Sequence, residues 1–375
     1  MMLPQQLRVV GLTLGDAEDP SSRSGVNHNV FSRMSSRCDL IDVIDLDVRG
    51  FPKLLLAAMS FSFDRRRWGN KLHQNPQAFK IRTGIAEKAL AEIRNKYDVV
   101  FQDGAMFLPS NGDLPTPFVS YHDSNIILAT QGGPLAHGAH CGGERLRKTI
   151  QQEAEVYRRA ALIFVMSDWL KRSLIQDFKI SESKIKTVYA GINLDSGIDH
   201  KPKLYDGRTI LFVGKNFDRK GGQVVLKAFR KVRSTIRDAR LVIIGPQLQI
   251  DEEGVEVRGF VRDRDLLTRS YQEASVFVLP SNFEPFGIAF CEAFAHRVPC
   301  IGTNICAMPE IIEHGRGGFL VEPNDHETLA DWICEILRDG HLARQMGAYG
   351  YTKVKTTFNW DVVVDKMVQH CVSLV

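Results

Sequence analysis

The chain has 375 residues, 44% hydrophobic and 25% charged, an ordinary globular composition. It is long for one domain, so two domains of about 150–200 residues each are expected. The net charge of +4 is too small to indicate nucleic acid, and no apolar run approaches the roughly 18 residues that span a bilayer.

The seven cysteines show no C-x-x-C spacing, and no signal peptide is read. The expectation is a cytoplasmic protein with reduced thiols rather than disulfides or a zinc site. Residues 7–12 (LRVVGL) read as a first strand, and residues 15–29 as a Gly-, Ser- and Asp-rich loop at its carboxyl end. Open α/β sheets bind ligands at such edges. Gly25-Val26 opens a helix through Met34, and the absence of G-x-G-x-x-G gives no support to a dinucleotide site.

Residues 41–46 are a second strand. Residues 51–63 are apolar over a helical length and lead into Asp64-Arg65-Arg66-Arg67-Trp68. The favoured reading is a buried helix followed by a solvated basic loop. The alternative is a peripheral segment resting on an anionic membrane surface, at the inner face of the membrane. A helix at 82–96 and strands at 97–102 and 118–121 follow. His122-Asp123 stands at the end of the last of these. A His there can bond a substrate or share a proton, although a lone strand-end His is more often structural. Residues 131–143 hold His137, His140 and Cys141. No second cluster supplies further metal ligands, so a substrate-side loop is favoured over zinc. A charged helix at 144–157, a strand at 162–166, a helix capped by Ser167 and a strand at 186–189 complete the first half.

Residues 195–208 (DSGIDHKPKLYDGR) are polar and read as a linker. The βα rhythm then restarts with a strand at 210–213, a basic glycine turn at 214–222 and a helix at 223–236. Strands at 241–245 and 255–261 and a helix at 263–271 follow. A βαβ unit covers 276–302: strand 276–279, a break at Pro280-Ser281-Asn282, a helix from near Gly287 to about His296, and strand 298–301. A strand at 318–322 and helices at 325–338, 341–356 and 360–374 end the chain. The alternation predicts an α/β protein with two doubly wound parallel sheets and a ligand cleft between them.

Two charged groups carry the candidate site. Glu284 lies in the loop at the mouth of the helix opening near Gly287, and Glu292 lies one turn after Ile288. Helical side chains lean toward the N-terminus, so Glu292 can point back to the same mouth. The first N–H groups of the helix favour an anion, and Gly287 lets a ligand approach the backbone. Phosphate donors beside carboxylates suit a sugar nucleotide, although two glutamates alone fit a solvated face more simply. Lys215 and Lys220 frame the glycine turn and should face the same sheet edge. Two lysines there can neutralise a diphosphate and the charge of a leaving group. As isolated lysines they would read as surface solubility; it is the opposite signs on one edge that shift the balance.

The segments FVGKNFDRKGG (212–222), PSNFEPFGIAFCEAFAHRVPCIGT (280–303) and GGFLVEPND (317–325) resemble the retaining family 4 glycosyltransferases of GT-B fold. SDWLKRSL (167–174) and VYAGIN (188–193) sit where that family has similar segments. The resemblance implies two Rossmann-like domains facing a cleft: an acceptor domain at 1–194, a linker at 195–207 and a donor domain at 208–357, with the helix at 358–375 packing back on the first. It implies transfer of a hexose from a UDP- or GDP-sugar to a glycan, lipid-linked or small-molecule acceptor. Same-face attack would keep the anomeric configuration, with no metal, no tightly bound cofactor and no nucleic acid. Glu292 would hold the ribose and Glu284 the donor sugar. Backbone at Phe286, Gly287 and Ile288 would bind diphosphate or sugar, and Lys215 and Lys220 the diphosphate. The family more often has Arg where Lys215 stands. Gly25 would lie in a loop near the donor phosphates, His122 near the reacting carbon, and the backbone at Phe260-Val261 against the base. The alternatives on the same fold are a sugar-nucleotide epimerase, a phosphorylase, or a non-catalytic binding subunit.

Overall fold

The computed structural model describes residues 6–20, 22–132, 142–193 and 203–375. His137, His140 and Cys141 lie outside the described residues, as does most of the expected linker. The chain forms two compact units, Met1–Tyr189 with Trp360–Val375, and Ala190–Asn359.

The first unit holds strands β1 (Arg8–Thr13), β2 (Asp39–Asp45), β3 (Val99–Asp103), β4 (Phe118–His122), β5 (Leu162–Val165) and β6 (Ile185–Thr187). They pair in parallel in the order β2-β1-β3-β4-β5-β6. Its helices are α1 (Val26–Met34), α2 (Gly50–Met59), α3 (Arg65–His73), α4 (Pro76–Glu92), α5 (Ile126–Gln131), α6 (Gly143–Arg159) and α7 (Asp168–Gln176). Strands β3, β4 and β5 are buried along their whole length, because a parallel sheet carries helices on both faces. Ser167 caps α7 as expected, its Oγ accepting from Leu170 N at 3.2 Å.

The second unit holds β7 (Thr209–Val213), β8 (Arg240–Ile244), β9 (Val255–Gly259), β10 (Val276–Leu279), β11 (Cys300–Thr303) and β12 (Gly318–Val321). Its order is β12-β11-β10-β7-β8-β9, again parallel. Helices α8 (Gly222–Thr235), α9 (Arg264–Glu273), α10 (Ile288–Ala295), α11 (Met308–Ile312), α12 (His326–Arg338) and α13 (Gly340–Thr356) cover it. The last helix, α14 (Trp360–Val372), belongs to the first unit. It packs on α1, burying Trp360, Val363, Val364, Met367 and Cys371, and Asp361 and Asp365 pair with Arg37.

Three expectations shift. Strand β9 stops at Gly259, whose φ of 65° turns the chain, so Phe260 and Val261 stand in the loop beyond it. Strand β11 starts at Cys300 rather than 298, because Val298 N still bonds back to Ala293 O at 3.0 Å. The apolar segment after β2 is not a buried helix followed by a basic loop. It is the helix α2 with most of its apolar side chains in solvent, and Arg65-Arg66-Arg67 opens a second helix, α3.

Candidate functional site

The strand order of the second unit reverses between β7 and β10, and such a switch point opens a crevice at the carboxyl ends of the strands. The turn after β7 carries Lys215, Arg219 and Lys220. The loop after β10 carries Glu284. The two loops are locked together. Asn282 N donates to Arg219 O at 2.8 Å, and Arg219 Nη1 donates to Phe283 O at 2.6 Å. Gly221 (φ 77°) lies so close to the second loop that a Cβ would sit 2.0 Å from Pro280 O, which explains why this turn needs glycine.

Lys220 Nζ donates to Glu284 Oε2. Arg219 Nη1 stands 3.8 Å from the same oxygen, and Ser281 Oγ donates to it at 3.4 Å. The side chains of Lys220 and Glu284 are only 14% and 9% exposed. Burial pulls the Lys220 ammonium below its usual range, which Glu284 partly offsets. Burial acts to raise Glu284, but Lys220 and Arg219 outweigh it and hold the carboxyl below its usual range.

Glu284 also lies against the mouth of α10. A Cβ on Gly287 would stand 3.2 Å from Glu284 Cγ, and Gly287 is the left-handed N-cap of that helix. No side-chain hydrogen bond caps the start of α10. Glu292, a turn further on, is buried and accepts from Tyr271 Oη at 3.0 Å. Burial raises its carboxyl above the usual range, against the pull of Tyr271 and Arg264. Burial raises the Tyr271 phenol as well, so it stays a donor.

The structure thus brings Lys220, Glu284 and Gly287 together. Lys215, in the same turn, has its Nζ over the ring of Phe260 at 4.7 Å. Phe260 is 47% exposed, and Val261 follows it. Phe286 is buried, edge-on to Phe358 at 5.9 Å, and Ile288 is the first residue of α10. Sequence reasoning missed Arg219 and Tyr271. Arg219 was visible as a third cation in the same turn. Nothing in the sequence singled out Tyr271, which reaches Glu292 from another helix.

Gly25 and His122 lie in the first unit. Gly25 is the left-handed N-cap of α1 (φ 80°). His122 ends β4, is 3% exposed and meets the ring of Tyr157 edge-on at 5.1 Å. Tyr157 Oη in turn donates to Glu153 at 3.4 Å, and Ile126 N to the same carboxylate at 2.9 Å. On this unit a cavity of about 520 Å³ lies between α4 and α6, with Gln77, Lys80, Arg145 and Lys148 in its wall. Among the described residues no group of three or more His, Cys, Asp or Glu side chains is arranged to hold a metal ion.

Two parallel six-stranded, Rossmann-like units define the GT-B fold. Residues 207–339 match the profile of the family described as Glycosyl transferases group 1. The match lies within the second unit, which resembles that glycosyltransferase family over this stretch. It is 28% identical over 230 residues to an uncharacterized glycosyltransferase of Methanocaldococcus jannaschii, covering 55% of this chain and 58% of that one. Its fold resembles that of a sucrose-phosphate synthase from Thermosynechococcus elongatus, with TM-score 0.70 at 17% identity over 98% of this chain and 99% of the other. It also resembles Anabaena HepE in complex with UDP, with TM-score 0.68 at 15% identity over 98% and 100% of the two chains. The chain spans about half the length of several curated relatives that it matches.

Proposed function

We propose that the protein moves a hexose from a nucleoside diphosphate sugar to an acceptor hydroxyl with retention at the anomeric carbon. The observation that carries this reading is the Lys220–Glu284 pair, set at the mouth of α10 on the switch point of the second unit. It combines a cation, a carboxylate and the N-terminus of a helix at one place.

In this reading Glu284 accepts from hydroxyls of the donor sugar and Glu292, oriented by Tyr271, from the ribose. The N–H groups around Phe286, Gly287 and Ile288 take diphosphate or sugar oxygens. Lys215, Lys220 and Arg219 balance the diphosphate as it leaves. The ring of Phe260 and the backbone at Val261 border the base. The acceptor oxygen forms its bond to the anomeric carbon as the bond to the β-phosphate oxygen breaks on the same face. That phosphate oxygen receives the acceptor's proton. The three cations and the helix N-terminus can carry the developing negative charge without a divalent ion. A relative-fold structure in complex with UDP supports a UDP-sugar as the first donor to try, with a GDP-sugar as the alternative. Glycan, lipid-linked and small-molecule acceptors all fit the exchange.

The test is a panel of UDP- and GDP-sugars, scored by thermal stabilisation and by release of nucleotide. One nucleotide should raise the melting temperature of the wild type, and Glu284→Gln, assayed well below its own lowered melting temperature, should show no turnover. Unchanged turnover in Glu284→Gln, or no response to any nucleotide sugar, overturns the reading.

A further inference from the structure

Helix α2 is turned the wrong way round for a core helix. Phe51, Leu54, Leu55 and Met59 recur at the helical spacing of one face, and they are 77%, 68%, 53% and 58% exposed. The stripe continues into Phe61 and Phe63, the latter 97% exposed. The face turned inward offers Leu56 and then Ser60.

Nothing beneath the helix calls for the stripe. The small core there is closed by Val48, Leu56 and Ala78, with Leu72 and Ile81 against it. Polar bonds fix the orientation: Trp68 Nε1 donates to Ala57 O at 2.8 Å and Asn75 Nδ2 to Ser60 Oγ at 3.0 Å. The helix cannot roll to bury its stripe without breaking them.

The charge around the stripe selects what covers it. From Arg49 to His73 the sequence carries Arg49, Lys53, Arg65, Arg66, Arg67 and Lys71 against Asp64 alone. A second copy docking here would bring like charges together. An anionic lipid surface complements both the exposed apolar stripe, which can enter the acyl boundary, and the positive charge that this stretch of sequence carries, which suits headgroup phosphates. Phe61 and Phe63, edge-on at 5.3 Å, with Trp68 at 5.7 Å from Phe61, give the aromatic belt that such an interface favours.

We propose that the α2–α3 hairpin is a membrane seat: Phe51, Leu54, Leu55, Met59, Phe61 and Phe63 insert into an anionic lipid surface, and the basic residues of 49–71 bind its headgroups. The hairpin follows β2 at the carboxyl edge of the first sheet, the edge on which His122 ends β4. The consequence that an acceptor borne by lipid would be presented at that edge rests on the glycosyl-transfer reading. The docking itself does not.

Flotation with vesicles tests it, using phosphatidylcholine alone and phosphatidylcholine mixed with phosphatidylglycerol. The wild type should float with the mixed vesicles and not with the neutral ones, and added salt should weaken it. Leu54→Asp and Phe63→Asp should each lower the bound fraction about tenfold or more. Arg65→Glu combined with Arg66→Glu should do the same. All should keep the wild-type melting temperature and its shift with nucleotide, since residues 49–71 belong to the first unit and the donor residues Lys220, Glu284 and Glu292 to the second. The proposal is overturned if the wild type does not float, if the apolar-to-acid variants float as well as the wild type, or if the patch mediates a dimer that Leu54→Asp dissolves without any lipid binding. Flotation with no nucleotide response would leave the seat standing and sink the donor reading.

Discussion

Lys220 and Glu284 stand 64 residues apart in the sequence and share one ion pair, buried between the turn after β7 and the loop after β10. The pair joins the two strands at which the sheet reverses its order. Removing one partner leaves the other charge uncompensated, which costs about 3–5 kcal/mol when such a pair is buried. Lys220→Met and Glu284→Gln should therefore each destabilise the second unit strongly. The double variant should recover most of the loss. Urea unfolding of the four proteins measures this, and simple additivity would show that the two charges are not coupled.

Gly221 and Gly315 form a matched comparison. Both have left-handed φ, 77° and 81°, but only Gly221 has a neighbour where a Cβ would go. Gly315→Ala should cost about 1 kcal/mol from backbone strain alone. Gly221→Ala should cost clearly more and also weaken nucleotide binding, because it pushes the two site loops apart at Pro280. Equal melting temperatures for the two variants would remove that argument.

Tyr271→Phe deletes the hydroxyl that bonds Glu292 and little else, because the ring stays packed on His296. A hydrogen bond to a charged acceptor contributes about 1.5–3 kcal/mol. The variant should bind nucleotide about tenfold or more weakly by calorimetry, with a smaller change in kcat. A drop in kcat at unchanged affinity would place Glu292 elsewhere in the reaction.

Glu153 gives a pH signature. Burial raises its carboxyl from 4.5 to about 8. The folded protein thus keeps a proton that the unfolded chain loses, so this group's contribution falls as pH rises from 4.5 to about 8 and levels off above that. Glu153→Gln should flatten the stability profile across this window and raise the melting temperature at pH 8. Its amide oxygen can still accept from Ile126 N. A profile unchanged by the substitution would mean that Glu153 is ionised in the fold.

Most elements were legible because they are buried strands and capped helices. The apolar run 276–279 and the cap at Ser167 are local signals, and each stands where expected, whereas Asp263 and Asp325, read as the first residues of their helices, are N-caps instead. The clustering of cations and carboxylates on one sheet edge was legible too, since both loops follow adjacent parallel strands. What could not be read was pairing. Periodicity does not say that Lys220 meets Glu284 while Lys215 turns to Phe260, or that Tyr271 reaches Glu292. Nor does it give the facing of a stripe: α2 has the spacing of a buried helix and the opposite orientation, decided by Ser60, Trp68 and Asn75.

The placement of α14 has a consequence for how the protein is made. Residues 360–372 complete the first unit, yet the ribosome delivers them after the whole of Ala190–Asn359. The nascent first unit must wait with the α1 surface and Arg37 uncovered while the second unit is synthesised and folds. The unit that begins first is finished last, and a fragment ending at residue 189 would retain that open face permanently.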